Sequence, residues 1–304
     1  MSSRKNPLFS IVIPTLNEGE MLSMTVENIL EVTAYPNIEV VVVDDGSTDG
    51  SCDAYRESTR PVRVITADHL GIPRARNLGA EHARGEYVLF IDAHCTVSAN
   101  WIDRFIEALN ARDVAIVGPT FTRLKEPEPR GCGNVWINHR LECAWLEPLE
   151  TNKPYEVPIT PGGCQAFRLK TFRALGGFHT GFTRWGYQDE EICLRAWLLG
   201  YRVLVDPAVT VAHYFRDNAG YSVDDKDVLY NFLRLIHLHF SPRRIRRCIA
   251  ALGEYPGLEE AIDRLYTTDV FEQRKEMNAA QRRTADWLFR VFMPELQLDR
   301  GEAC

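Results

Sequence analysis

Five short apolar runs recur through the first part of the chain, and the spacing between them restricts the fold. They are Phe9–Pro14, Ile38–Val43, Val62–Ile65, Tyr87–Ile91 and Val114–Val117. Runs this short and continuously apolar, rich in β-branched residues, read as strands buried on both faces. Helical patterns separate them. Leu22, Val26, Ile29 and Leu30 mark a helix within Asn17–Thr33, and Gly71–Ala83 reads as a loop and helix. Ser98 is the expected N-cap of a helix ending at Leu109. Strands alternating with helices predict an α/β fold, a mostly parallel sheet flanked by helices. Such sheets bind ligands at the carboxyl ends of their strands. Asp44-Asp45 and Asp92-Ala93-His94 each follow a strand directly, so both are expected at that edge.

The remaining chain is less regular. Residues 120–160 hold Pro127, Pro129, Pro148, Pro154 and Pro158 with Trp136 and Trp145, and read as an irregular connection, a kind of segment that is often functional. Order returns with helices at Leu169–Leu175 and Asp189–Leu199 and a strand at Arg202–Val205. Beyond about residue 220 the pattern is helical and charged. The expected division is a catalytic α/β domain over 1–218 and a helical region over 219–304. In that region Arg243, Arg244, Arg246 and Arg247 read as a solvated basic face. His237 and His239 point to different sides of a helix, which argues against a second metal site there.

Composition excludes some classes. The net charge of -7 argues against a nucleic-acid-binding surface. No apolar run approaches the ~18 residues of a membrane-spanning helix, and the first ten residues do not resemble a signal peptide. None of the eight cysteines forms a C-x-x-C pair, so they are expected to be reduced and mostly buried, and the chain is expected to be a cytoplasmic enzyme.

Four groups of residues carry chemistry. Asp92 and His94 can face one point on extended backbone, and both are ligands for Mn²⁺, Zn²⁺ or Fe²⁺. Asp44-Asp45-Gly46-Ser47-Thr48-Asp49 combines carboxylates for a base or ribose with Gly and Ser amides for a phosphate; it is equally the composition of a plain turn. Trp185-Gly-Tyr-Gln-Asp-Glu-Glu191 places acids in the first turn of a helix, for capping or as a general base. His213 follows a strand and alone says little.

Together these stretches resemble the family-2 glycosyltransferases with a GT-A fold. The resemblance rests on Ser10-Ile-Val-Ile-Pro-Thr-Leu-Asn-Glu18, Val43-Asp-Asp-Gly-Ser-Thr-Asp49, Gly71-Ile-Pro-Arg-Ala-Arg-Asn77 and Leu89-Phe-Ile-Asp92. The metal motif departs from the usual D-x-D of that family. Its D-x-H is similar to that of the polypeptide N-acetylgalactosaminyltransferases, as are Gly162-Gly163, Trp185-Gly186 and His213-Tyr-Phe-Arg216. The W-G-G-E-N motif of those enzymes is only partly matched.

The resemblance implies a metal-dependent transfer of a sugar from a nucleotide diphosphate, with uridine as the nucleoside, to an unidentified peptide, glycan or small molecule. It implies a cation, Mn²⁺ or Mg²⁺, held by Asp92, His94 and His213; the mixed ligands favour Mn²⁺. The donor would lie among Pro14, Thr15, Asn17, Glu18, Asp44, Asp45, Ser47 and Arg76, with Asp92, Ala93, Gly163 and Trp185 completing the site. Asp189 is the expected general base of an inverting reaction. Two alternatives stand beside it: a retaining N-acetylgalactosaminyltransferase-like enzyme, and a silent nucleotide-sugar-binding subunit. A homodimer is a further expectation. A nucleotidyltransferase is disfavoured, because Pro14-Thr-Leu-Asn-Glu-Gly19 lacks the basic residues of a triphosphate loop.

Overall fold

The computed structural model describes residues 8–216 and 224–298. The first half runs β1 (Phe9–Thr15), α1 (Glu20–Val32), β2 (Ile38–Asp44), α2 (Asp53–Arg56), β3 (Val62–Thr66), α3 (Ile72–His82), β4 (Tyr87–Ile91), β5 (Cys95–Val97), α4 (Trp101–Leu109) and β6 (Val114–Arg123). A connection follows with β7 (Glu126–Gly131), β8 (Asn134–Trp136), β9 (Cys143–Trp145) and β10 (Tyr155–Glu156). Then come β11 (Cys164–Arg168), α5 (Leu169–Leu175), α6 (Gln188–Leu198) and β12 (Arg202–His213). The chain closes with α7 (Asp225–His239), α8 (Pro242–Leu252), α9 (Leu258–Tyr266), α10 (Val270–Ala280) and α11 (Ala285–Phe292).

The main sheet has the order β10-β12-β6-β11-β4-β1-β2-β3. β3, β2, β1 and β4 are parallel, as their buried runs require. β11 runs antiparallel to both of its neighbours, β4 and β6, while β12 is parallel to β6. Two reversals cancel, so β6 and β12 point the same way as β4. The ends of β1, β2, β4 and β12 therefore share one edge.

Side chains alternate across the sheet. Ile11, Ile13, Val40, Val42, Leu89 and Ile91 face α1 and α4, with Trp101 and Phe105 wholly buried there. Val12, Val41, Val43, Val88 and Phe90 face the other way, into one apolar cluster that continues through Phe172, Trp197, Leu233 and Leu288. The C-terminal helices thus share a core with the sheet, in one continuous set of contacts.

Several expectations change. The first helix starts at Glu20, not Asn17, because Asn17 and Gly19 have φ of 53° and bond to the Thr48 amide and the Asp49 carboxylate. Ser98 does not cap α4; it pairs with Thr210, and Asn100 precedes the helix. Residues 120–160 contain four short strands instead of being wholly irregular. β12 runs to His213 rather than stopping at Val205; a register shift between Asp206 and Thr210 interrupts its pattern and pairing then resumes. Arg244 is buried, bonded to Asp286 and stacked 3.6 Å from the Phe289 ring, so the basic cluster is not simply a solvated face. The cysteines from Cys52 to Cys248 are free and all but Cys143 are buried; Cys304 lies outside the described residues. Among the described residues no helix is long and apolar enough to cross a membrane.

A buried ion pair ties the helices together. Arg195 donates to both oxygens of Glu191, at 2.9 and 2.7 Å, and His239 of α7 approaches the same carboxylate at 2.8 Å. Burial alone would raise the Glu191 carboxyl, but Arg195 and His239 outweigh it and hold it well below the usual carboxylate range. A depressed carboxyl stabilises the fold above its unfolded pKa and loses that contribution as pH falls. Unfolding monitored by circular dichroism should therefore show the melting midpoint falling below about pH 4.5, with a flatter acid limb in Glu191→Gln. Arg195→Leu, which strands the charge, should cost about 3–5 kcal/mol in urea unfolding at pH 7; a loss below about 1 kcal/mol would assign the pair no structural weight.

Candidate active site

At the shared strand edge a cavity of about 790 Å³ opens between the β1, β2 and β4 ends, β12, and the turn before α6. Pro14, Thr15 and Asp45 form one end. Asp45 accepts the Leu70 and Gly71 amides at 2.6 and 2.8 Å, so it fixes the entry to α3 as it lines the cavity. The Thr15 hydroxyl is buried without a partner and faces the same end. His69 and Arg184 complete the lining there.

The middle of the cavity holds Asp92, His94 and His213, with one ligand atom from each within 4.8 Å of the others. β5 creates this meeting. It pairs antiparallel with β12, matching Cys95 to His213, and the Tyr214 amide donates to the His94 carbonyl. The two imidazoles sit with centroids 4.7 Å apart, and His213 Nε2 is 3.3 Å from Asp92 Oδ2. His94 Nδ1 faces Glu18 at 3.2 Å, and Arg216 donates to the same Glu18 carboxylate. A carboxylate behind a histidine fixes its tautomer and leaves the other nitrogen for a metal.

The donor set fits a divalent cation. One carboxylate and two imidazoles suit Mn²⁺ or Zn²⁺ better than Mg²⁺. Burial pushes the Asp92 carboxyl up, but the His213 hydrogen bond and the Arg76 charge hold it well below the usual range. It is ionised as a ligand must be. Arg76 is 2% exposed and donates to Asp92 Oδ1 at 3.0 Å and to the Gly162 carbonyl at 2.7 Å. Its Nε and Nη1 have no partner.

The far end is formed by Gln188, Asp189 and Glu190 at the start of α6, with Trp145, Trp185, Tyr214 and Phe215. Gly162 and Gly163 allow these walls to close: a Cβ on Gly162 would lie 3.0 Å from Asp189, and one on Gly163 would lie 3.1 Å from His213 and Phe121. Asp189 Oδ2 accepts the Gly162 amide at 2.7 Å. Burial pushes its carboxyl above the usual value, opposed by Arg76 and by that amide. Glu190 accepts from Trp136 Nε1 at 2.6 Å. Burial first, and then repulsion by Asp189, raise its carboxyl to about 8.

Most of the expected residues meet in this cavity: Pro14, Thr15, Glu18, Asp45, Arg76, Asp92, Ala93, His94, Gly163, Trp185, Asp189 and His213 all line it. Glu18 lines the cavity directly behind His94. Asn17, Asp44 and Ser47 do not line it. Asp44 is buried against Arg56 at 2.6 Å, and burial is outweighed by the Ser47 and Arg56 hydrogen bonds that hold its carboxyl low. The Ser47 amide, expected to face a phosphate, donates to Asp44, and its hydroxyl accepts from Asn17. Glu191 points into the core. His69, Phe121 and Arg184 were not singled out from the sequence; only Phe121 carried a signal, as an apolar continuation of the β6 run.

The strand order and the acid–imidazole cluster at the strand ends define a GT-A fold. The model of glycosyl transferase family 2 matches residues 10–176, more than half of the chain, and the chain belongs to that family. A second model, the N-terminal domain of galactosyltransferase, matches residues 147–216. Similar curated proteins include polypeptide N-acetylgalactosaminyltransferase 11 of Xenopus tropicalis, 29% identical over 76% of this chain and 42% of its own length. Polypeptide N-acetylgalactosaminyltransferase 12 of Mus musculus is 33% identical over 71% of this chain and 41% of its own. The chain thus spans about two fifths of the length of these relatives. GalNAc-T7, solved with UDP, GalNAc and Mn²⁺, superposes with a TM-score of 0.79 at 21% identity, covering 97% of this chain and 58% of that one. A mannosyltransferase of Pyrobaculum calidifontis, solved with GDP-Man and Mn²⁺, gives 0.56 at 21% identity, covering 91% and 75%.

Two measurements check the site. In calorimetry with Mn²⁺, His213→Ala should abolish measurable binding, and Glu18→Gln should weaken it roughly 10–100-fold by releasing His94. Unchanged affinity in both would remove the cluster as a metal site. For Glu190 the sign is opposite to that of Glu191. Its folded pKa lies above the ordinary 4.5, so the native state holds a proton the unfolded chain releases, and stability declines as pH rises from about 4.5 to about 8. Glu190→Gln should remove that decline from the melting profile.

Proposed function

We propose that the protein transfers a sugar from a nucleoside diphosphate to a nucleophilic acceptor, with UDP-sugar as donor and Mn²⁺ as cofactor. The observation that carries this is the Asp92–His94–His213 cluster inside one cavity that also holds buried, unpartnered donors. A cation held there would neutralise diphosphate charge and act as a Lewis acid. The protein's own groups do the rest. Asp45 and Thr15 mark the nucleoside end. Arg76 offers two nitrogens of a planar guanidinium, Nε and Nη1, without hydrogen-bond partners beside the cluster, suited to phosphate or sugar oxygens. Asp189, its basicity raised by burial, stands across the cluster from the nucleoside end. It would take the acceptor's proton as the new bond forms, giving inversion.

The aromatic rim of Trp145, Trp185, Tyr214 and Phe215 supports an acceptor with apolar or ring surfaces, a peptide or a glycan. The relatives named above favour a peptide and a second reading, transfer with retained configuration. The D-x-H cluster and His213-Tyr-Phe-Arg216 are the residues that favour it. A silent binding subunit is disfavoured by the complete set of ionisable groups in the cavity.

Thermal-shift screening of nucleotide sugars, with and without Mn²⁺, tests the donor assignment, since a ligand of the native state raises its melting point. No shift and no donor turnover with any nucleotide sugar would reject the proposal. With a donor in hand, Asp189→Asn should lower turnover roughly 10²–10⁴-fold while nucleotide affinity holds, and NMR of the product should show inverted configuration. Retained configuration would leave Asp189 a positioning role.

A further inference from the structure

One wall of the cavity has little structure of its own. Arg184, Trp185, Gly186 and Tyr187 all line the site. Arg184 and Tyr187 have φ of 38° and 65°, in the left-handed region that non-glycine residues occupy at a cost. Something outside the segment must hold it.

That support comes from α7. Asn231 is completely buried. Its Oδ1 accepts the Thr183 amide at 2.9 Å and the Thr183 hydroxyl at 3.2 Å. The two N–H groups of its Nδ2 are shared among the carbonyls of Thr183, Trp185 and Gly186, at 2.8, 2.9 and 3.1 Å. Acceptor and donor sides of one amide group thus satisfy polar groups of three residues in the turn. Neighbours on the same helix face add to this. Asp227 pairs with Arg184 at 3.6 Å, Val228 lies under Gly186, and the Phe232 ring sits 5.8 Å from that of Tyr187. The turn runs directly into Gln188, Asp189 and Glu190, so its placement sets theirs.

We infer that Asn231 is a positioning residue of the transfer site, fixing the Thr183–Tyr187 wall and through it the first turn of α6. The C-terminal helical region is then a working part of the site. The consequence for turnover rests on the transferase reading; the pinning itself does not. The chemistry demands asparagine. Aspartate of the same shape would set a carboxylate against three carbonyls, and leucine would fill the space but leave those groups unpaired.

The test uses the full chain with Asn231→Asp and Asn231→Leu. Tryptic cleavage after Arg184, whose side chain is exposed, should become roughly 10–100-fold faster, because the backbone there opens locally. Turnover should fall at least about tenfold, while Mn²⁺ affinity stays within about twofold, because Asp92, His94 and His213 all lie outside the pinned segment. Cleavage at the unsubstituted rate overturns the inference; so does Mn²⁺ affinity lost in parallel with turnover, which would show general damage. Should neither variant fold, amide exchange in the unsubstituted protein decides. Thr183 must be protected like the interior of α7, and exchange as fast as an exposed loop overturns the inference. Cleavage and exchange need no substrate, so a chain inert toward every nucleotide sugar would overturn the functional reading and not the pinning.

Discussion

The common direction of β4 and β12 is the constraint on which the rest of the site depends. β11, antiparallel to both β4 and β6, reverses the direction twice, so β12 runs the same way as β4 although two strands separate them. Were β12 antiparallel to β6, His213 would emerge at the opposite edge from Asp92. The long connection between β6 and β11 supplies Trp136 and Trp145, and its return through Gly162-Gly163 leaves room for Asp189 and His213 to approach. The cavity is thus a product of strand direction first and side-chain identity second.

Burial pushes every one of these carboxyls up, and partners decide which are pulled back down. Glu190 and Glu191 are neighbours on one helix, about 100° apart around its axis. One faces the cavity, with an indole N–H, the Cys143 thiol and a like charge beside it, and is raised. The other faces the core, with a guanidinium and an imidazole, and is depressed. Burial acts upward on both, so their difference comes entirely from what each one touches.

The sheet was legible because strands buried on both faces leave continuous apolar runs that nothing else in the chain imitates. β12 was read short because Asp206-Pro207 and the register shift interrupt that run, and with it went the pairing that joins His94 to His213. The separation of Asp44 from Asp45 follows from the alternation of a strand end, one carboxylate turning back to Arg56 and the other forward to the cavity. Composition alone treats them as equals. Glu18 could not be assigned from its motif, since its partners His94 and Arg216 are distant in the chain. The strands of residues 120–160 are two to six residues long, too short for any periodicity to register. Asn231 left no trace in the pattern, because a polar residue inside an amphipathic helix looks like an imperfection until its partners are known.

The acid–imidazole cluster also has a history written into it. Asp92 and His213 are 121 residues apart, and Glu18 meets Arg216 across 198. A chain emerging from the ribosome carries Asp92 and His94 long before His213 and Arg216 exist. The growing polypeptide therefore cannot assemble this site early. A cation held by all three side chains would need the strand bearing His213 to have docked, and would then act as a latch between the ends of β4 and β12.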